Sequence, residues 1–131
     1  MPINSCQKGK LGERMFAKLV NKVMGYTVNE GVRRTPCSGA FASFKGDLIQ
    51  TKGALSKYVW EVKNEAKPRL WAYVKQGEEE VSYDQTSVIA MKQPGSDKFY
   101  CIIEATALLS LIKKIDDGVN NIQENTDATS K

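Results

Sequence analysis

The chain contains no histidine, and this absence removes more chemistry than any other feature of its composition. It excludes a Ser-His or Cys-His nucleophile pair, an imidazole general base and a histidine-ligated zinc. Any metal must then be held mainly by oxygen. Cysteine is scarce and odd in number. Cys6, Cys37 and Cys101 lack the even, close spacing of a disulfide framework, so reduced thiols in an intracellular protein are expected. No segment approaches the ~20 apolar residues that a bilayer crossing needs. The opening Met1-Pro2-Ile3-Asn4-Ser5-Cys6-Gln7-Lys8 has no apolar stretch behind its basic residues, so a secretory leader is not expected. A cytoplasmic protein with no membrane partner follows as the expectation.

What is present fits one ordinary globular domain: 131 residues, 41% hydrophobic and 26% charged, enough for a single core. The net charge of +4 is unevenly spread. Residues 116–131 carry Asp116, Asp117, Glu124 and Asp127 against Lys131 alone, which leaves a more basic body. Such a body suits a polyanion such as nucleic acid, although many basic proteins bind none. The expected organisation is a folded domain over 1–115 and an acidic tail without structure over 116–131.

Hydrophobic spacing supplies the elements. Leu11, Met15, Phe16, Leu19, Val20 and Val23 recur at a helical period that stops at Gly25, a residue suited to a left-handed cap. A short strand pair is expected around Gly31, between Val28 and Val32, followed by a basic, small-residued loop, Arg33-Arg34-Thr35-Pro36-Cys37-Ser38-Gly39. Asp47–Thr51 and Lys57–Lys63 read as a hairpin about Gly53. Pro68 suits the first turn of a second helix over roughly 69–83, with Leu70, Trp71, Val74 and Val81 on its apolar side and Gly77 weakening it. Strands over 86–91 and 98–103 flank the Pro94-Gly95-Ser96-Asp97 turn, and a third helix covers 105–115. The predicted order is α-β-β-β-α-β-β-α, an α/β arrangement with a mixed sheet flanked by helices.

Side chains two apart on a strand share a face, so Lys57, Val59, Glu61 and Lys63 point one way, and Tyr58, Trp60 and Val62 turn toward the core. Asp47 on the neighbouring strand is the natural third member beside Glu61 and Lys63. Two converging carboxylates need a shared proton or a cation. Asp47, Glu61 and the Val62 carbonyl could hold Mg2+, which would acidify a water while Lys63 orients that water or stabilises negative charge. Glu13 lies beside Phe16, Ala17 and Val20 at the edge of the helical stripe, from where it could reach over the sheet. The plain alternatives are a salt-bridged, solvated sheet face and a surface helix glutamate. Glu65-Ala66-Lys67 repeats the acid-x-lysine spacing without the preceding apolar strand.

Taken together these residues resemble the archaeal-type Holliday junction resolvases, including phage-encoded relatives, within the PD-(D/E)XK nuclease superfamily. The resemblance covers roughly residues 8–103. It is carried, in order, by a glutamate early in the first helix (Lys8-Gly9-Lys10-Leu11-Gly12-Glu13-Arg14), by Arg33-Arg34 followed by Ser38-Gly39-Ala40, by Asp47 opening a strand, and by Glu61-Val62-Lys63. Gly46 stands where the superfamily's name has proline. Gln76 falls where many members place a glutamine on the helix after the core hairpin, in a context that reads more readily as surface.

The resemblance implies a restriction-endonuclease-like core in which Glu13, Asp47 and Glu61 bind metal and Lys63 assists catalysis. It implies that the Arg33–Ser38 segment contacts the scissile backbone. The cofactor implied is Mg2+, with Mn2+ as a substitute. The substrate implied is branched double-stranded DNA, above all four-way junctions, cut by a homodimer in the host cytoplasm if the chain is phage-encoded. Trp71, Tyr73 and Phe99–Ile103 serve equally as an interface or as core. Lys8, Lys10, Arg14, Arg33, Arg34, Ser38 and Lys45 are the expected DNA contacts. A nicking, flap-cutting or exonucleolytic enzyme and a DNA-binding protein without catalysis are the rival expectations.

Overall fold

The structure, a computed structural model, describes residues 4–27, 31–35, 46–49 and 53–129. Ser38 and Lys45, Cys37, the rest of the Pro36–Gly39 loop, Val28 and the end of the strand at 50–51 lie outside the described residues. The elements run α1 (Ser5–Met24), β1 (Arg33–Arg34), β2 (Leu48–Ile49), a 3-10 turn (Ala54–Lys57), β3 (Tyr58–Lys63), α2 (Leu70–Glu80), β4 (Thr86–Lys92), β5 (Phe99–Ile102) and α3 (Ala105–Thr129). The α+β class and the mixed sheet flanked by helices are as expected. β3 and β4 pair in parallel across the α2 crossover, and β4 and β5 are antiparallel around Gly95, whose φ is 72°.

α1 starts earlier than the apolar period indicates. The Asn4 side chain accepts the Gln7 N–H at 2.8 Å, capping two polar turns that periodicity alone does not register. Its C-terminal end is as expected, with Gly25 left-handed at φ 71°. Phe16 and Ala17 are buried, and Phe16 packs its ring against Trp60 (5.3 Å between centroids) and Phe99 (5.1 Å). With Val32, Leu48, Val62 and Ala90 these residues form the core between α1 and the sheet.

The opposite sheet face is covered by α2, which changes the reading of β3. Val59 and Glu61 are buried rather than solvated, whereas Tyr58 and Trp60 are only half-buried. The buried side of α2 is also not the expected one. Tyr73 and Gly77 are buried, while Leu70 and Trp71 are exposed. Gly77 sets that face. A Cβ there would sit 2.1 Å from Ser87 Oγ, so the missing side chain lets α2 lie directly on β4 rather than simply weakening the helix.

No strand pair forms around Gly31 among the described residues; β1 is Arg33–Arg34 and pairs antiparallel with β2. The Asn21 amide holds its approach, accepting from Val32 N at 2.7 Å and donating to Val32 O at 3.0 Å. The described part of the predicted 47–63 hairpin touches through one backbone bond, Asp47 N to Trp60 O at 2.7 Å. Residues 116–129, expected without structure, continue α3 as helix. No helix among the described residues is long and apolar enough to cross a membrane.

Candidate active site

Asp47 is fixed by backbone bonds on both sides. Thr35 N donates to Asp47 O at 2.9 Å, and Thr35 Oγ1 donates to Gly46 O at 2.8 Å. Gly46 has φ 78°, and a Cβ on it would meet Trp60 O at 2.7 Å. Proline, with φ locked near −65°, cannot occupy that conformation, which accounts for glycine at the position before the aspartate. So anchored, the Asp47 carboxylate accepts the Val62 N–H at 2.7 Å on the side of β3 away from β4. A strand residue's N–H and C=O leave by the same edge, so the Val62 carbonyl also faces the Asp47 side.

Glu61 lies on the α2 face of β3 and is 3% exposed. Burial first, then a hydrogen bond with Glu80 of α2 and the charges of Asp47 and Glu80, push its carboxyl up to about 10, with Lys63 opposing. Asp47 is raised as well, by burial first. Its bond from Val62 N–H and its hydrogen bond with Glu61 work against that rise, and the charge of Glu13 adds to it. Lys63 Nζ donates to Gln76 Oε1 at 3.0 Å and stands 4.8 Å from the centroid of the Tyr73 ring, a cation–π contact. Tyr73 in turn hydrogen-bonds Glu65.

Asp47, Glu61, Val62, Lys63 and Glu65 line one open cavity of about 470 Å3, with Lys8, Gly9 and Glu13 of α1 on its other wall and Gln76 of α2 beside Lys63. Gly12 lets α1 come this close. It presses on Asn64, whose Nδ2 donates to Lys8 O at 3.0 Å. All four expected catalytic residues, Glu13, Asp47, Glu61 and Lys63, thus reach one cavity. They are not equivalent there. Glu13 accepts from Arg34 Nε at 2.6 Å, and among the described residues no three acidic or thiol side chains converge on one point. The metal set is therefore looser than the three-carboxylate cluster implied by sequence.

The donor chemistry still fits a hard divalent cation. Asp47 and Glu61 are oxygen donors in contact; burial raises both carboxyls, the charge of Glu13 adds to the rise at Asp47 and that of Asp47 to the rise at Glu61, and a bound cation would favour the ionised form of each. Asp47, Glu61 and the Val62 carbonyl are the residues placed to hold it.

The expected DNA contacts divide. Lys8 belongs to the acidic cavity. Arg14, Arg33 and Arg34 line a second cavity of about 530 Å3, together with Lys18, Asn21 and Tyr26. Lys10 is exposed on α1 and lines neither. Arg34 joins the two, since it lines the basic cavity while bonding Glu13 of the acidic one. Glu80 and Lys18 are not singled out by sequence, Tyr73 is read there only as interface or core, and Gln76 as surface. The helical spacing of Tyr73, Gln76, Gly77 and Glu80 was the available signal, since it puts them on one side of α2.

A family model described as "Phage putative PDDEXK endonuclease" matches residues 4–106. Comparison with curated proteins and with solved structures gives no match.

Proposed function

Because the chain belongs to the phage PDDEXK endonuclease family, we propose that it is an Mg2+-dependent DNA endonuclease that hydrolyses phosphodiester bonds in branched DNA. The observation that carries this reading is the meeting of Asp47, Glu61 and Lys63 in one cavity that adjoins a basic one. When bound, a divalent cation supplies Lewis-acid chemistry: charge neutralisation at the phosphate and a more acidic water.

The chain's own residues do the rest. Asp47 and Glu61 would hold the cation through their carboxylate oxygens, Glu61 giving up its proton on binding, and the Val62 N–H keeps the Asp47 carboxylate in place. Gln76 and the Tyr73 ring restrain the Lys63 ammonium, which stabilises charge that develops on the phosphate. Arg14, Lys18 and Arg33 hold flanking phosphates, with Arg34 as the link that orients Glu13. These contacts address the backbone rather than base edges, so sequence preference is weak.

Preference for junctions rests on the resemblance to Holliday junction resolvases, and paired cuts across a junction require two copies of the site. The test is cleavage of end-labelled four-way junction, linear duplex and single-stranded DNA with Mg2+ or with EDTA. Paired nicks confined to the junction and abolished by EDTA are expected. Equal cleavage of all three substrates would overturn the junction preference, and cleavage that persists in EDTA would overturn the role of the cation.

A further inference from the structure

Lys63 lines a second, smaller cavity besides the one it shares with the carboxylates. Lys63, Met91 and Tyr100 stand opposite one another across β3, β4 and β5, so they leave the sheet on one face, the face that carries α2. Tyr100 ends that row and is 57% exposed. Its neighbour Phe99 turns to the other face and packs on Phe16, so the core between α1 and the sheet does not use Tyr100. Pro68, from the connection into α2, and Pro94, from the turn between β4 and β5, complete the walls around a volume of about 170 Å3. Of the charged residues there, Lys92 donates to Gln93 O at 3.3 Å, while Lys63 and Glu65 belong to the active-site cavity as well. The two cavities therefore adjoin through those two side chains.

On the nuclease reading of the adjoining cavity, we propose that this pocket takes one unstacked base of the DNA strand whose phosphate lies at Lys63. Size, chemistry and position each bear on the occupant. A volume of about 170 Å3 is below the roughly 300 Å3 at which sites for drug-sized ligands begin, so one planar group fits and a helix or strand does not. Proline, methionine and tyrosine side chains offer apolar, polarisable surfaces on which any base can stack. Glu65 accepts from the Tyr73 hydroxyl and has lone pairs left for an N–H on a base edge, while its charge keeps a second phosphate out.

A phosphate at Lys63 in the larger cavity has its own sugar and base within one nucleotide's reach of the smaller one. Taking a base out of an intact duplex costs its pairing and its stacking, and that cost is lowest where the base is already single-stranded. The pocket therefore favours a strand with a free base at the cut, which gives selection for branched DNA a physical source within one chain.

Affinity of the full chain for a forked duplex, measured in EDTA, tests this, with an abasic site stepped one nucleotide at a time through the unpaired bases of the fork. At one position, loss of the base is expected to weaken binding about fivefold or more, the size of a lost base–aromatic stack. In Tyr100→Ala the intact fork should bind about as weakly as the abasic fork binds the wild type, and the abasic site should cost nothing further. Tyr100→Phe, which keeps the ring, should behave as the wild type. An abasic series without effect on the wild type, or the same loss in Tyr100→Ala as in the wild type, would overturn the pocket. Cleavage is read separately in Mg2+: a chain that discriminates the abasic fork in EDTA but cuts no DNA would refute the nuclease reading and keep the base pocket.

Discussion

Glu61 sits beneath α2 beside Asp47 and Glu80, and burial with those neighbours lifts its carboxyl from 4.5 to about 10. Between those two values the folded chain keeps a proton on Glu61 that the unfolded chain has released. The unfolding free energy therefore falls as pH rises through that window. In EDTA, the thermal midpoint is expected to decline from mildly acidic to alkaline buffer, and Glu61→Gln to flatten the decline. A wild-type slope no steeper than that of the variant would contradict this. Asp47, Glu61 and Lys63 were legible in the sequence because strand alternation is a strict rule that places Glu61 and Lys63 together. Glu80 was hidden, and the places of Gln76 and Tyr73 beside Lys63 were not legible, because they depend on how α2 is rotated over the sheet, and that rotation is set by Gly77 against Ser87.

At the scale of elements, the approach of α1 to the end of β3 is controlled by a single missing side chain. A Cβ on Gly12 would stand 2.8 Å from the Cβ of Asn64, an atom that cannot rotate away, whereas Gly9 one turn earlier has open space. Gly9→Ala should therefore gain up to about 1 kcal/mol from helix propensity. Gly12→Ala should lose the same gain and more, since overpacking costs about 1–3 kcal/mol. Denaturant unfolding of both variants decides it, and an equal gain at both sites would be inconsistent with the packing described. β3, β4 and the Gly95 turn were readable from β-branched runs and a Pro-Gly turn. The helix boundaries were less so. α1 begins in a polar capped turn, and α3 runs on to Thr129 through a segment whose charged and polar residues read as a tail without structure.

On the scale of the whole molecule, a basic cavity and an acidic one lie to either side of the Arg34–Glu13 ion pair. Under the proposed function this arrangement would separate the holding of a nucleic-acid backbone from its cutting. Arg33 is exposed on the basic side, so Arg33→Ala should weaken DNA binding similarly across sequences. It should also make the dependence of log affinity on log salt shallower by about one; an unchanged slope in a salt titration would remove Arg33 from the phosphate contacts. The body's basic charge was visible in composition, but its division into two cavities depends on the fold of β1 against α1, which no local pattern records. If the chain is the proposed cation-dependent nuclease, its activity depends on the carboxylates gathered around β3. The most direct measurement is the rate of DNA cleavage in Mg2+ by the wild type and by Asp47→Asn, together with DNA affinity in EDTA. Loss of cleavage by more than about a hundredfold with DNA affinity retained is expected, and an Asp47→Asn variant that cuts at the wild-type rate would contradict the account.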